Sequence, residues 1–348
     1  MKKLWTNLLV CALITSLLAS CGKPADLAAA PDSPDAPVKK TDTASSAADR
    51  EADTAKYNSY IEISNYMLGN LNDIMVAYTK EFGMEDELKP RKNFSGYNTL
   101  PIMQSHKDAV DKALAYTTKE PSYGAADESA KVIIPKMQLF MNTLVDVAAY
   151  YQSKAYVDDN FAKGKELHKQ VITQYMDYAV SADPFFADFE AITVKKDEED
   201  LAMLKKEDYL IRYHAKSMVM RAKDIQQAFS EAEIGDDNIL DYDVNAYKEK
   251  YALLTEDIAK FLEYTQDDAR KKKEGVTMLL PAYTSSIEGV KVTATDILQI
   301  LETKDITINS ETKGKVRTGG GNAIVSRFDT KVSALIRSYN IFNQTGSF

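Results

Sequence analysis

Cysteine is nearly missing from this chain. Of its 348 residues only Cys11 and Cys21 are cysteine. Both fall in a short N-terminal stretch that is expected to be removed or modified, as argued below. The folded part would then have no free thiol, which excludes disulfides, thiolate nucleophiles and cysteine-held metals together. Histidine is almost as scarce, with His106, His168 and His214 alone. These stand on three different predicted helices. None has the Glu-x-x-His spacing by which helical bundles hold metals, and no His-x-x-x-His pair occurs. A three-histidine zinc site would need all of them to converge, so they are read as isolated bundle residues. No Gly-x-Ser-x-Gly turn is present to expose a serine nucleophile. The chain is read as a non-enzyme that needs no metal or cofactor.

Basic charge is also in deficit, with 43 Lys and Arg against 52 Asp and Glu, a net charge of −9. Without Lys2 and Lys3 the balance is 41 against 52, or −11. An acidic chain of this kind argues against nucleic acid and anionic headgroups as partners.

At the N-terminus, Lys2 and Lys3 precede an apolar run from Leu4 to Leu18. The run is too short to span a bilayer as a stable helix and reads as an export signal over residues 1–20. It ends in Leu18-Ala19-Ser20-Cys21, where small residues suit cleavage and the cysteine thiol can accept lipid. Cys21 is therefore the expected lipidation site and the membrane is the expected partner through that lipid. Gly22 follows it rather than Asp. In a cell with two membranes that favours the outer one, with the protein facing the periplasm. Residues 21–54 are rich in Ala, Pro, Asp, Ser and Thr and read as a lipidated, disordered tether.

From residue 55 to 348 one periodicity repeats. Tyr57, Ile61, Ser64, Leu68, Leu71, Met75, Tyr78 and Phe82 step by four and three, a seam down one helix face. Leu71 is at its middle and Tyr57 at its start, where helices fray. Leu204, Ile211, Ala215, Met218, Ala222, Ile225 and Phe229 keep the spacing with one turn skipped. Tyr247, Tyr251, Leu254, Ile258 and Phe261 repeat it, as do Ile324, Phe328, Val332, Leu335, Tyr339 and Phe342. Period-two alternation is confined to scraps such as Ile306-Thr307-Ile308. The pattern predicts an all-α protein, either an elongated antiparallel helical bundle or two bundles sharing a long helix.

Punctuation predicts the breaks. Asn98 or Thr99 before Pro101, and Asp183 before Pro184, place a capping side chain ahead of a first-turn proline. Ser285 and Glu288 have capping-box spacing. Gly83, Gly235 and Gly275 mark helix ends, and Pro281 interrupts the next helix.

Twenty tyrosines are many for this length, and those on seams are read as core residues with a hydroxyl reaching a partner or the surface. The alternative, an aromatic groove for a sugar, peptide or lipid, has no position that sequence can assign. Thr318-Gly319-Gly320-Gly321-Asn322 reads as a connector, since no strand leads into it and no Gly-Lys-Ser/Thr follows. Asp236-Asp237-Asn238 and Asp241-Tyr242-Asp243 have the composition of a calcium loop but not its spacing. They read as an interhelical loop with capping acids. The charge runs Lys195 to Asp200 and Arg270 to Glu274 read as solvated helix surface.

The signal and cysteine, the polar tether, Lys56-Tyr57-Asn58-Ser59-Tyr60 opening a long helix, and Phe328 through Tyr339-Asn340 in the closing one resemble the YiiG family of bacterial lipoproteins over about residues 50–345. That family is defined by a domain of unknown function, so the resemblance implies an all-α envelope lipoprotein and no catalytic or ligand residue. The expected function is a membrane-anchored envelope lipoprotein whose helical domain binds an envelope protein partner or plays a structural part. The alternative is a receptor for a soluble ligand in a pocket between helices.

Overall fold

The computed structural model describes residues 42–90, 94–276, 280–312 and 322–344. The expected signal at 1–20, Cys21, the tether up to residue 41 and the connector Thr318 to Gly321 lie outside them. Every regular element among the described residues is a helix, so the fold is all-α. The long ones are α1 (Asp42–Tyr66), α2 (Asn72–Phe82), α3 (Gln104–Tyr116), α4 (Ala125–Gln152), α5 (Ala162–Lys206), α6 (Leu210–Glu231), α7 (Val244–Tyr264), α8 (Leu280–Thr303) and α9 (Ile324–Gln344). Two compact units divide between Lys195 and Lys196. The division falls inside α5, which contributes residues to both.

In the first unit α1 begins at Asp42, so the stretch from 42 to 54 is helical where composition alone suggested a tether. Residues 48–52 are exposed. Their run of Ala, Asp, Arg and Glu includes strong helix formers, and a helix nucleated on the buried residues after it can extend through them without burying anything. Tyr57 consequently lies inside the helix rather than at a fraying end, 3% exposed and 5.6 Å from the Phe189 ring. A single π turn over Met67–Leu71 joins α1 to α2 without a break. The first seam is buried at Ile61, Ser64, Leu71, Met75, Tyr78 and Phe82, with Leu68 partly so. α3 packs on both α1 and α4, and the core is completed by Ile133, Met137 and Phe140 of α4 with Val171, Phe185 and Phe189 of α5. α4 is the one described helix long and apolar enough to cross a membrane, but the faces carrying those residues fill this core.

The expected break at Asp183-Pro184 is absent, since α5 runs through both residues. An interior proline costs about 3 kcal/mol. Phe185, Phe186 and Phe189 are all buried immediately after it, each contributing about 1.5–3 kcal/mol, so continuity outweighs the break. Pro184 and Pro135 of α4 both lie on the exposed side of their helices, where carbonyls that lose an amide partner can turn to water.

The other predicted boundaries move for local reasons. α3 starts three residues after Pro101, and His106 Nδ1 accepts the Met103 N–H at 3.3 Å, the capping role expected of Asn98 or Thr99. Ser285 and Glu288 lie within α8, whose buried Tyr283 requires the helix to have started already. Pro281 occupies the beginning of that helix instead of interrupting it. Gly83 and Gly275 do stand just past helix ends, with φ of 82° and 65°, a region that a Cβ disfavours. Gly235 follows the end of α6, although the left-handed residue there is Glu233.

The second unit closes as a ring of four helices: α6 packs on α7, α7 on α8, α8 on α9 and α9 on α6. α6, α7 and α9 present their predicted seams. Ala215, Met218, Ala222 and Ile225 of α6 meet Leu254, Ile258 and Phe261 of α7, Ile287, Val290 and Ile297 of α8, and Phe328, Val332 and Leu335 of α9 in one core. Leu204 keeps the spacing of the α6 seam but belongs to α5, with a turn at Asp208 (φ 57°) between them. Asp243 caps α7 by accepting the Ala246 N–H at 2.7 Å. Asp243→Ala is expected to cost about 1 kcal/mol through the lost cap, read as a shifted urea midpoint with unchanged slope.

Candidate functional site

A buried charge persists only with partners, and those partners show what each polar centre of this chain is for. In the first unit the Lys56 ammonium is fully buried, and its three hydrogens have three acceptors. These are Asp127 Oδ2 at 2.7 Å, the Lys119 carbonyl at 2.8 Å and the Pro121 carbonyl at 2.9 Å. Asp127, in the first turn of α4, also accepts from the Tyr60 hydroxyl at 2.6 Å and the Tyr123 N–H at 2.7 Å. Burial, and then the hydrogen bond to Asp127, push the Tyr60 pKa well up. These bonds tie α1 to the turn before α4.

Tyr78 and His168 form a second buried centre. His168 Nε2 lies 2.7 Å from the Glu85 carbonyl, which can only accept, so that nitrogen carries a proton. Nδ1 then takes the Tyr78 hydroxyl at 2.8 Å. The pair fastens the chain after α2 to α5.

In the second unit His214 Nδ1 is 2.8 Å from Asp257 Oδ1, and the Ser217 hydroxyl donates to Asp257 Oδ2 at 2.6 Å. Serine, histidine and aspartate are thus together, but in the wrong order for nucleophilic catalysis. A relay needs the serine on the histidine, whereas here both hold the carboxylate, with Arg221 Nε 3.7 Å away. His106 caps α3 in the first unit, so the three histidines occupy three separate arrangements. Among the described residues no three His, Asp or Glu side chains gather as metal ligands.

The two charge runs are not simply solvated surface. Asp197 is 5% exposed and pairs with buried Lys216 at 3.0 Å, and Lys216 also donates to Asp200. Glu274 is fully buried and accepts the Ile211 and Arg212 N–H groups at 3.1 and 2.9 Å, capping α6 from a distant turn. The Arg212 guanidinium returns to the Glu274 carbonyl at 2.9 and 3.0 Å. Sequence did carry one signal of this: α6 follows Tyr209, which supplies no side-chain cap of its own. A helix start without a cap needs an acceptor from elsewhere.

Of the seam tyrosines, Tyr57, Tyr78, Tyr247 and Tyr339 are core residues, and Tyr283 of α8 joins them. Tyr247 and Tyr283 are buried and donate to the Ala294 and Ala215 carbonyls, each at 2.8 Å. Tyr251 is half-buried and meets Thr295 Oγ1 at 2.9 Å. The hydroxyls of Tyr66, Tyr151 and Tyr178 are buried with no partner.

A cleft of about 360 Å³ opens in the second unit, where the loop 236–241 meets the end of α8 and the start of α9. Its floor is aliphatic, from buried Ile239, Ile300 and Ile324. Asp237 and Asp241, both exposed, contribute to its lining. Asp236 also lines it, but its carboxylate is engaged in capping α9, accepting the Val325 and Ser326 N–H groups at 2.8 and 3.1 Å. The acid-rich loop therefore does supply capping acids, Asp236 for α9 and Asp243 for α7. The volume falls in the lower part of the range of small-molecule sites, about 300–1,000 Å³.

Comparison with protein families matches residues 51–341 to one described as Protein of unknown function (DUF3829). Neither the curated proteins nor the solved structures yield a match. With the match covering most of its length, including both helical units, the chain belongs to the DUF3829 family.

Proposed function

We propose that this is a lipid-anchored protein of the bacterial cell envelope, akin to the YiiG-like lipoproteins, whose helical units bind an envelope partner or serve a structural role. The observation that carries the reading is the order Lys2-Lys3, the apolar run Leu4 to Leu18, and Leu18-Ala19-Ser20-Cys21. Each part has its own physical role. The charge orients the segment, the short apolar run engages the export machinery, the small residues permit cleavage, and the thiol accepts the acyl group. In a cell with two membranes the protein would sit on the outer one, facing the periplasm. Support for a binding or structural role comes from the buried polar centres, whose donors and acceptors are spent on one another. Cys21→Ala is expected to abolish incorporation of a fatty-acid analogue and release the protein from membranes. Labelling of the variant equal to that of the unaltered protein would overturn the reading.

The cleft favours a second reading, in which the second unit is a receptor for a small soluble ligand. Its aliphatic floor and polar rim are the usual division between affinity and orientation.

A further inference from the structure

We propose that Lys56 and Asp127 become joined by an amide bond once the first unit has folded, which makes this pair a site of self-modification. The inference goes beyond the envelope reading and does not depend on it.

The structure holds the two side chains as a reactant pair. Lys56 Nζ is fully enclosed and stands 2.7 Å from Asp127 Oδ2. At that separation the carboxyl carbon lies about 3–3.5 Å from the nitrogen, the distance of a near-attack arrangement. The other two hydrogens of the ammonium are held by the Lys119 and Pro121 carbonyls at 2.8 and 2.9 Å, and the Tyr123 ring covers it at 4.7 Å. The carboxyl group is fixed as closely. Oδ1 accepts the Tyr60 hydroxyl at 2.6 Å, and Oδ2 accepts the Tyr123 N–H at 2.7 Å and, more distantly, the Ser122 hydroxyl at 3.5 Å. The Tyr60 ring packs on Phe185 and Phe189. Burial and the bond to Asp127 push its pKa well up, so its hydroxyl stays a donor.

The chemistry needs only these groups. Passing one proton from Nζ to Oδ2 along the existing hydrogen bond cancels both charges and with them the cost of keeping them buried. The amine that results has its two hydrogens on the two carbonyls, so its lone pair is left facing the carboxyl group. A turn of that group about its Cβ–Cγ bond presents the carbon to the nitrogen. As the N–C bond forms, Oδ1 takes the developing charge under the Tyr60 hydroxyl, a placed donor of the oxyanion-hole kind. A second proton then moves from the nitrogen to Oδ2, the C–Oδ2 bond breaks, and Oδ2 departs with both protons as water. The third proton stays on the amide nitrogen, beside the Lys119 and Pro121 carbonyls. No oxidant or second molecule is consumed.

The position gives the bond its use. Lys56 belongs to α1, the helix through which any pull on the N-terminal segment enters the fold, and Asp127 opens α4 in the core. Joining them ties positions 71 apart in a chain whose cysteines are Cys11 and Cys21 alone. It is a covalent tie that the helical units cannot obtain from a disulfide.

The test is tryptic digestion of the purified, denatured protein followed by mass spectrometry. The peptide carrying Lys56 is expected joined to the peptide carrying Asp127, at their summed mass less one water, with no cleavage after Lys56. In a pulse-chase of newly made protein, Tyr60→Phe is expected to form the linked pair about a hundredfold more slowly, the effect of removing one such donor. Separate peptides of unaltered mass, with cleavage after Lys56, would overturn the proposal. Loss of water confined to the Asp127 peptide would be an imide of that aspartate and would overturn it equally. Linkage as fast in Tyr60→Phe as in the unaltered protein would overturn the route through the Tyr60 hydroxyl.

Discussion

Asp127→Ala is expected to destabilise the first unit by about 3–5 kcal/mol, the cost of removing one partner from a buried ion pair. The reason lies in what is left behind more than in what is removed. The Lys56 ammonium would keep only the Lys119 and Pro121 carbonyls, with its charge uncompensated and fully buried. The Tyr60 hydroxyl and the Tyr123 N–H would lose their acceptor as well. Removing both charges, as Lys56→Met with Asp127→Leu, should recover part of the loss but not all of it, because the Tyr60 and Tyr123 groups stay orphaned. Urea denaturation of the two variants checks this. An Asp127→Ala protein within about 1 kcal/mol of the unaltered one, the value for an exposed pair, would mean that water reaches this centre.

This centre also marks where sequence reasoning stops. Lys56 and Asp127 are separated by 71 positions, and Arg212 and Glu274 by 62. Nothing local names either partner, although the uncapped start of α6 does call for an acceptor from elsewhere. The seams were legible because helix period is a property of neighbouring residues, and burial of Ile61, Met75, Met218, Phe261 and Phe342 follows from it directly. Long-range burial is what overrode the local signals. Pro184 has the punctuation of a helix start, yet three phenylalanines packed just beyond it keep α5 intact. Arg270 to Glu274 has the composition of a solvated surface, yet its last residue is the buried cap of another helix.

The candidate cleft was only partly legible for the same reason. Asp236, Asp237 and Asp241 were visible as an acidic loop, and the capping role of that loop followed from helix-end physics. Its isoleucine floor was not, since Ile239, Ile300 and Ile324 come from three separate elements. The π turn at Met67–Leu71 left no trace either, because the four-and-three spacing continues through it.

The second unit is expected to unfold cooperatively in alkali, with phenolate absorbance and loss of helix appearing together. Tyr247, Tyr283 and Tyr339 are buried in its core, and desolvation raises all three pKa values well above 10, with nearby Asp200 and Asp197 adding to the effect at Tyr339. Below pH 10 both folded and unfolded chains keep these protons, and the stabilisation is fully present. Above it the unfolded chain releases them near the ordinary tyrosine value while the folded chain holds on. Each group then favours unfolding by about 1.4 kcal/mol per pH unit, so the three together remove about 4 kcal/mol per unit. A typical domain stability of about 5–15 kcal/mol would be exhausted within about one to four units above pH 10. The first unit should follow the same course, since burial raises Tyr66 to about 12 and pushes Tyr60, Tyr78 and Tyr178 up as well. Replacing Tyr283 by phenylalanine should flatten the alkaline slope of the second unit by about a third. That variant loses one titrating group and leaves the Ala215 carbonyl without its donor, so its stability at neutral pH should fall by about 1 kcal/mol. Phenolate absorbance that rises smoothly through pH 10 while helix persists would show these hydroxyls to be open to water, and the packed four-helix ring could not then be right.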